Sequence, residues 1–209
     1  MLRRRALVQV LGAVAYGELK AYEGARAKAA ATTDPQLRRA HRQVAAEELR
    51  HHKGFVRRLE ALGADPERAM APYRAQLDRY HSMTAPDALG QAVSSYLGEG
   101  IADDLLRWLR RVADGETAAF IDEVLADEAG HEALAAAELR GRLGGDPVLR
   151  LRSVAAALAM AARMAQSVAA GRGVLPFRAF VELGRPLDLI RALVGGQVRR
   201  MARAGVLAA

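Results

Sequence analysis

Hydrophobic residues recur every three or four positions along most of the chain, the spacing of α-helices that each bury one face. The stripe after Pro35 consists of Leu37, His41, Val44, Glu48, His51, Phe55, Leu59 and Leu62. Similar stripes predict long helices from Leu2 to Ala30, from Asp87 to Ala113 and from Gly115 to Gly144. The pattern therefore predicts four long amphipathic helices.

The breaks between these stripes carry helix-start signals. Aspartate followed by proline or glycine occurs at Asp34-Pro35, Asp65-Pro66, Asp114-Gly115 and Asp146-Pro147. Aspartate is a preferred N-cap and proline fits the first helical turn. The other helix start and stop signals predict a short helix from Pro66 to about Met83 and a break over 84–87. They also predict three C-terminal helices: one from Pro147 to near Gly171, one over 176–183 and one over 186–204.

Composition supports an all-α fold. Alanine (45) and leucine (27) far exceed valine and isoleucine together (19) among the 209 residues, and β-branched residues are those that sheets recruit. The chain has no cysteine. Disulfide frameworks, cysteine-ligated zinc, iron–sulfur clusters and thiol nucleophiles are therefore excluded.

Loop lengths predict how the long helices connect. A helix of 26 residues is about 39 Å long, and the connection over 63–86, which contains its own helix, can run back along that length. The flanking long helices are then parallel. We expect a ferritin-like four-helix bundle with one long crossover over residues 1–145. Residues 146–209 are expected to form a basic helical extension packed on it within the same domain.

Each long stripe contains a glutamate where an apolar residue is expected, namely Glu18, Glu48, Glu99 and Glu128. His51 and His131 follow the second and fourth of these glutamates by three residues, which places them on the same helical face. Four carboxylates and two imidazoles at one bundle centre need about four positive charges, which two divalent metals supply. One glutamate from each of two helices and Glu-x-x-His from each of the others is the di-iron carboxylate pattern.

The spacing of these residues contains an internal repeat. Glu18 and Glu48 are 30 residues apart, and Glu99 and Glu128 are 29 apart. The two Glu-x-x-His motifs are separated by 80 residues. We therefore predict two irons per chain, with Glu48 and Glu128 as bridging ligands. The alternative explanation of these buried carboxylates is that they form ion pairs with arginine residues. Manganese remains an open alternative to iron.

Other acidic residues accompany the predicted ligands. Glu47 and Asp127 precede the two motif glutamates, and metal-bound histidine usually donates its second ring N–H to a carboxylate or carbonyl. If the two motif helices are antiparallel, Asp127 lies beside His51 and Glu47 beside His131. Asp103, one turn after Glu99, is also expected to point inward. A solvated helix face is the other interpretation of Glu47 and Asp127.

Positive charge is concentrated in the C-terminal third. Residues 147–209 contain ten arginines against Glu182 and Asp188, whereas residues 1–146 have a balance of −1. One interpretation is a phosphate-binding surface for tRNA to which Arg199, Arg200 and Arg203 contribute. A solvent-exposed arginine coat explains the same charge.

The first 16 residues superficially resemble a secretory signal, but their periodicity continues through the apparent cleavage point. We interpret them as the start of an amphipathic helix and expect a cytoplasmic protein without a membrane anchor. The apolar stretch over 154–170 contains Arg163 and Gln166 and is predicted to be a packed helix.

The chain resembles the ferritin-like di-iron superfamily, and within it the proteins similar to the tRNA hydroxylase that acts on 2-methylthio-N6-isopentenyl-adenosine. The similar segments are Ala15-Tyr16-Gly17-Glu18-Leu19, Ala69-Met70-Ala71-Pro72, Thr84-Ala85-Pro86, Gly98-Glu99-Gly100-Ile101-Ala102 and the two Glu-x-x-His motifs. The resemblance implies an O2-activating di-iron hydroxylase that receives electrons from a ferredoxin or reductase, with tRNA as substrate. It assigns no catalytic residue beyond the metal ligands.

Three other functions remain open from the sequence. A di-iron oxygenase could act on a small-molecule or carrier-bound substrate, and a ferritin-like protein could bind or detoxify iron without an organic substrate. A structural bundle with a degenerate site is the third. The intact six-residue ligand set argues against the last of these. The oligomeric state, with a homodimer among the options, is left open.

Overall fold

The computed structural model describes residues 2–83, 85–169 and 177–207, and every regular element in this part of the chain is an α-helix. The all-α prediction is confirmed. The helices are α1 (Leu2–Ala31), α2 (Pro35–Ala61), α3 (Pro66–Ser82), α4 (Ala88–Val112), α5 (Gly115–Leu143), α6 (Pro147–Ala169), α7 (Phe177–Leu183) and α8 (Pro186–Arg203).

Aspartate caps set the helix starts where the sequence places them. Asp34 Oδ1 accepts a hydrogen bond from the backbone N–H of Gln36 at 2.7 Å, and Asp114 Oδ1 accepts one from that of Thr117 at 2.9 Å. Asp87 caps α4 through the backbone N–H of Gly90 at 2.8 Å. These bonds satisfy backbone donors that have no partner within the helix. The predicted breaks are therefore confirmed as capped helix ends.

Three predicted boundary positions, Thr84, Gly171 and Pro176, lie outside the described residues. The described helices divide into two compact units. One contains α1, α2, α3 and α7, and the other contains α4, α5, α6 and α8. The expectation of a single domain, with residues 146–209 packed on residues 1–145, stays a prediction.

In the first unit, α1 contacts α2, α3 and α7. Leu11 of α1 and Phe55 and Leu59 of α2, which are positions of the predicted stripes, are fully buried, and so is Val10 beside Leu11. Glycine at position 12 allows α1 to approach α3 closely, because a Cβ atom there would lie 2.2 Å from the Ala69 carbonyl oxygen.

Because α1 lies this close to α3, replacing two glycines of α1 by alanine should have opposite effects on stability. Gly12→Ala should destabilise the protein by about 1–3 kcal/mol, because its Cβ meets backbone that must shift. Gly24→Ala, where a Cβ meets nothing within 4 Å, should stabilise it by about 1 kcal/mol through helix propensity. Urea unfolding of both variants measures the difference, and equal effects would contradict the close packing of α1 on α3.

In the second unit, α4 contacts α5, α6 and α8. Trp108 of α4 is buried, and its indole Nε1–H donates to the Arg185 carbonyl oxygen at 3.1 Å. Tyr96 of α4 and Leu139 of α5 belong together to one buried apolar cluster. Trp108 thus contacts the C-terminal part of the chain.

An ion pair is buried between α4 and α8. Arg200 Nη1 donates to Asp104 Oδ2 at 2.6 Å, and Nη2 donates to Oδ1 at 3.2 Å. The side chains are 2% and 1% exposed. Burial acts to lower the pKa of Arg200, but the hydrogen bond and charge of Asp104 and the charges of Asp103 and Glu132 together raise it. Arg200 is therefore buried against Asp104 rather than displayed as part of an exposed arginine coat, and its contribution to tRNA binding stays a prediction.

Glycines make room for this pair. A Cβ at Gly100 would lie 2.1 Å from Arg200 Nε, and one at Gly196 would lie 1.9 Å from Asp104 Oδ2. Both helices therefore need a residue without a side chain where the charges cross. In the described part of the chain, no helix combines the length and hydrophobicity needed to cross a bilayer.

Candidate metal centre

Three predicted ligands converge in the first unit. Glu18 lies on α1, Glu48 and His51 lie on α2, and all three are buried. Their positions follow from helical periodicity, because each replaces an apolar residue in a stripe that faces the other helix. Two carboxylates removed from water on adjacent helices are costly unless positive charge lies beside them.

The distances in this triad favour a shared cation. His51 Nδ1 is 3.6 Å from Glu18 Oε2 and 3.6 Å from Glu48 Oε2. These separations exceed normal hydrogen-bond lengths. Two ligand atoms at about 2.1 Å from a tetrahedral metal are about 3.4 Å apart. Because one ligand atom from each residue lies within 4.8 Å of the others, the donor set fits a divalent metal ion.

The second unit contains the other Glu-x-x-His motif. Glu128 of α5 is buried, and His131 Nδ1 lies 3.2 Å from Glu128 Oε2. The two side chains are 11% and 10% exposed. The i, i+3 spacing thus brings one carboxylate and one imidazole together on α5, as on α2.

Asp103 of α4 is buried beside this motif. Burial, and next the charge of Glu128, raise the pKa of Asp103 to about 8, although the charges of Arg200 and Arg107 act to lower it. Its carboxylate lies 3.7 Å from Arg200 Nη2 and 3.9 Å from Arg107 Nη2. The prediction that Asp103 points inward is confirmed, and a hydrogen bond from it to a metal ligand stays a prediction.

Glu99 differs from the expectation. Its side chain is exposed, whereas the sequence stripe predicts that it is buried. At this level of α4 the buried contact is made by Gly100, which lies against the Arg200 side chain. Glu99 precedes Gly100 and therefore lies about 100° away from it around the helix axis. The prediction of an inward-facing Glu99 is wrong, and its role as a ligand stays a prediction.

The acids that precede the motif glutamates are half-buried. Glu47 Oε1 accepts a hydrogen bond from Gln43 Nε2 at 3.0 Å, one turn earlier on α2. Asp127 is buried to a similar degree on α5. Their predicted crossing, with Asp127 beside His51 and Glu47 beside His131, stays a prediction.

A polar network on α1 involves Tyr16 and Lys20, the residues two positions before and after Glu18. The Tyr16 hydroxyl donates to Asp78 Oδ1 at 2.7 Å, and Lys20 Nζ lies 3.3 Å from the same oxygen. Burial and the hydrogen bond to Asp78 raise the pKa of Tyr16. The partners of Asp78 are about 60 residues away along the chain, so no local sequence signal indicates these contacts.

Sequence reasoning missed the Arg200–Asp104 pair. The available signals were two glycines inside helices, Gly100 and Gly196, and an aspartate on an apolar helix face. A helix-interior glycine costs about 1 kcal/mol, and here that cost accompanies a close approach of charged side chains. Close packing is therefore the explanation of Gly100.

An all-α chain that buries glutamate on one helix and Glu-x-x-His on others belongs to the ferritin-like class of helical proteins. Comparison with protein families agrees. The family model described as "Ferritin-like domain, actinomycetes" matches residues 2–181. The chain belongs to this family, and the ferritin-like fold class is confirmed. No curated protein matches the sequence.

Proposed function

We propose that the two ligand sets form one dinuclear iron centre and that the protein is an O2-dependent hydroxylase. The buried triad of Glu18, Glu48 and His51 is the observation that carries this proposal. Glu128 and His131 of the second Glu-x-x-His motif would hold the other iron together with a carboxylate of α4.

The α4 carboxylate is Glu99 in the sequence pattern, and Asp103 is the buried alternative. The iron content of two variants distinguishes Glu99 from Asp103 as the ligand. Glu99→Gln should lower the iron bound per chain if Glu99 is the ligand, whereas Asp103→Asn should lower it if Asp103 takes that place.

Two bound ferrous ions supply the redox chemistry that lets O2 react with a C–H bond. Hydroxylation consumes the bond, one O2, two electrons and two protons, and yields an alcohol and water. An external donor, a ferredoxin or a reductase, provides the two electrons. The chain's own part is to hold buried carboxylates and imidazoles in fixed positions and to exclude water, which strengthens their electrostatic interactions.

The resemblance to tRNA hydroxylase-like proteins supports a modified tRNA adenosine as the substrate. An oxygenase of a small or carrier-bound molecule and an iron-binding or detoxifying protein are the competing functions. The ligand set is compatible with all three, since it specifies the metals rather than the organic substrate.

Steady-state O2 consumption tests the proposal. Iron-loaded protein, a reductase–ferredoxin pair and total RNA from cells that lack this gene should give continuous uptake and a hydroxylated nucleoside. Glu123→Gln, an exposed change on α5, should leave the rate unchanged. A single burst of O2 uptake that ends when the iron is oxidised, with no organic product from RNA or metabolite extracts, would identify an iron-binding protein instead.

A further inference from the structure

The second unit contains a polar pocket that the metal ligands do not line. Its volume is about 170 Å³. Four arginines from α4 and α8 line it together with one glutamate and one glycine. These residues are Arg107, Arg199, Arg200, Arg203, Glu132 and Gly196. A pocket with this many guanidinium groups is built for an anion.

The fixed charges in and behind the pocket leave positive charge in excess. Glu132 Oε1 accepts from Arg203 Nη1 at 2.7 Å, and Glu132 Oε2 lies 3.8 Å from Arg107 Nη2. Asp104 binds Arg200, and Asp103 lies behind it. Four guanidinium groups thus face three carboxylates. Arg199 has no ion-pair partner among the residues that the structure describes.

Arg200, one of the lining residues, also has a buried donor without an acceptor. Arg200 Nε makes no hydrogen bond, although the side chain is only 2% exposed. The nearest carboxylate oxygen of Glu132 is 3.9 Å away, which is too far for a hydrogen bond. Buried N–H groups in folded proteins almost always have a partner. This donor lies toward Gly100 of α4, and the excess of guanidinium groups in the lining is the feature that indicates an anion.

We propose that this pocket binds a phosphate group. Arginine forks match phosphate oxygens in pairs, and Arg199 and Arg203 are exposed enough to close on a ligand. Glu132 competes with the ligand for Arg203. Glu132 lies four residues after Glu128, so the pocket is about 6 Å along α5 from that ligand.

This position deepens the proposed function and rests on it: the phosphate belongs to the substrate and anchors it one helical turn from the metal centre. Phosphate binding itself needs no metal. The two proposals can therefore fail separately, because phosphate affinity is measured on full-length protein without added iron and iron content is measured without phosphate.

Titration calorimetry with inorganic phosphate at constant ionic strength tests the pocket. We expect saturable binding of one phosphate per chain. Arg199→Ala should weaken it by about ten-fold or more, the effect of losing a charged hydrogen bond. Arg191→Ala removes the same charge from an exposed site on the same helix that does not line the pocket. It should change affinity less than about two-fold.

Glu132→Gln gives a change in the opposite direction. Removing the internal competitor should tighten phosphate binding by about three-fold or more. The melting temperature of each variant checks that the fold is retained. Absence of saturable phosphate binding, equal weakening by Arg191→Ala and Arg199→Ala, or acetate binding as tight as phosphate would each overturn the proposal.

Competition identifies the source of the phosphate. Adenosine monophosphate that displaces inorganic phosphate, with RNA lacking terminal phosphates inactive, assigns the pocket to a phosphomonoester. Displacement by that RNA, lost steeply with added salt, assigns it to a polynucleotide backbone. Failure of both competitors while inorganic phosphate still binds would overturn the role of the pocket in anchoring substrate.

Discussion

Protein loaded anaerobically with Fe(II) and freed of excess metal should retain about two irons per chain, whereas Glu48→Ala should lose at least one and consume no O2. Glu48 is buried with its carboxylate 3.6 Å from His51 Nδ1, so its loss removes a ligand and leaves a gap that water does not fill equivalently. We expect affinity at that site to fall by more than about 100-fold, since even residues that only orient ligands contribute 10–100-fold.

Iron analysis after gel filtration measures this loss, and Glu128→Ala should behave alike. Glu60→Ala, an exposed change on α2, is the matched control and should keep both irons. Fe(II) should also raise the melting temperature of the parent more than that of Glu48→Ala, because a ligand stabilises the state that binds it. Full iron loading in Glu48→Ala and Glu128→Ala would refute the site assignment.

Arg200→Met should destabilise the protein by about 3–5 kcal/mol, the usual cost of leaving one buried charge without its partner. Asp104 is 1% exposed and accepts two charged hydrogen bonds from Arg200, at 2.6 and 3.2 Å. Without Arg200 it loses its buried partner and keeps only the bond at 3.1 Å from the more exposed Arg107. The same change at Arg191, which is exposed on α8, should alter stability by less than about 0.5 kcal/mol.

A double variant separates the ion pair from general damage to packing. Arg200→Met with Asp104→Leu removes both charges and should recover most of the lost stability, because apolar residues often replace buried ion pairs at no cost. Urea unfolding gives the three values. A loss below about 1 kcal/mol in Arg200→Met, or no recovery in the double variant, would contradict the structural role of the pair.

The helices and most buried ligands were predictable because their signals are local. Asp34 and Asp114 cap the helices that follow them through backbone N–H groups two or three residues away. Glu18, Glu48 and Glu128 are buried because each occupies an apolar position of a regular stripe. The repeat of Glu-x-x-His along α2 and α5 indicates the metal chemistry without any knowledge of packing.

Glu99 and Arg200 show where local signals are insufficient. The stripe on α4 predicts an inward Glu99, but Gly100 makes the buried contact at that level because the Arg200 side chain lies against it. Net charge along residues 147–209 suggests that Arg200 is a surface cation, yet it is buried against Asp104. Both errors come from a partner about 100 residues away.

The sequence by itself determined the all-α class, the helix ends and the pairing of glutamate with histidine on α2 and α5. These depend on hydrogen bonds and side-chain periods that span a few residues. Only the tertiary structure decided which side of α4 is buried, where the charge of Arg200 goes and that four arginines surround one pocket. Each of these depends on side chains from different helices, and the desolvation that makes a charge buried or available depends on those neighbours.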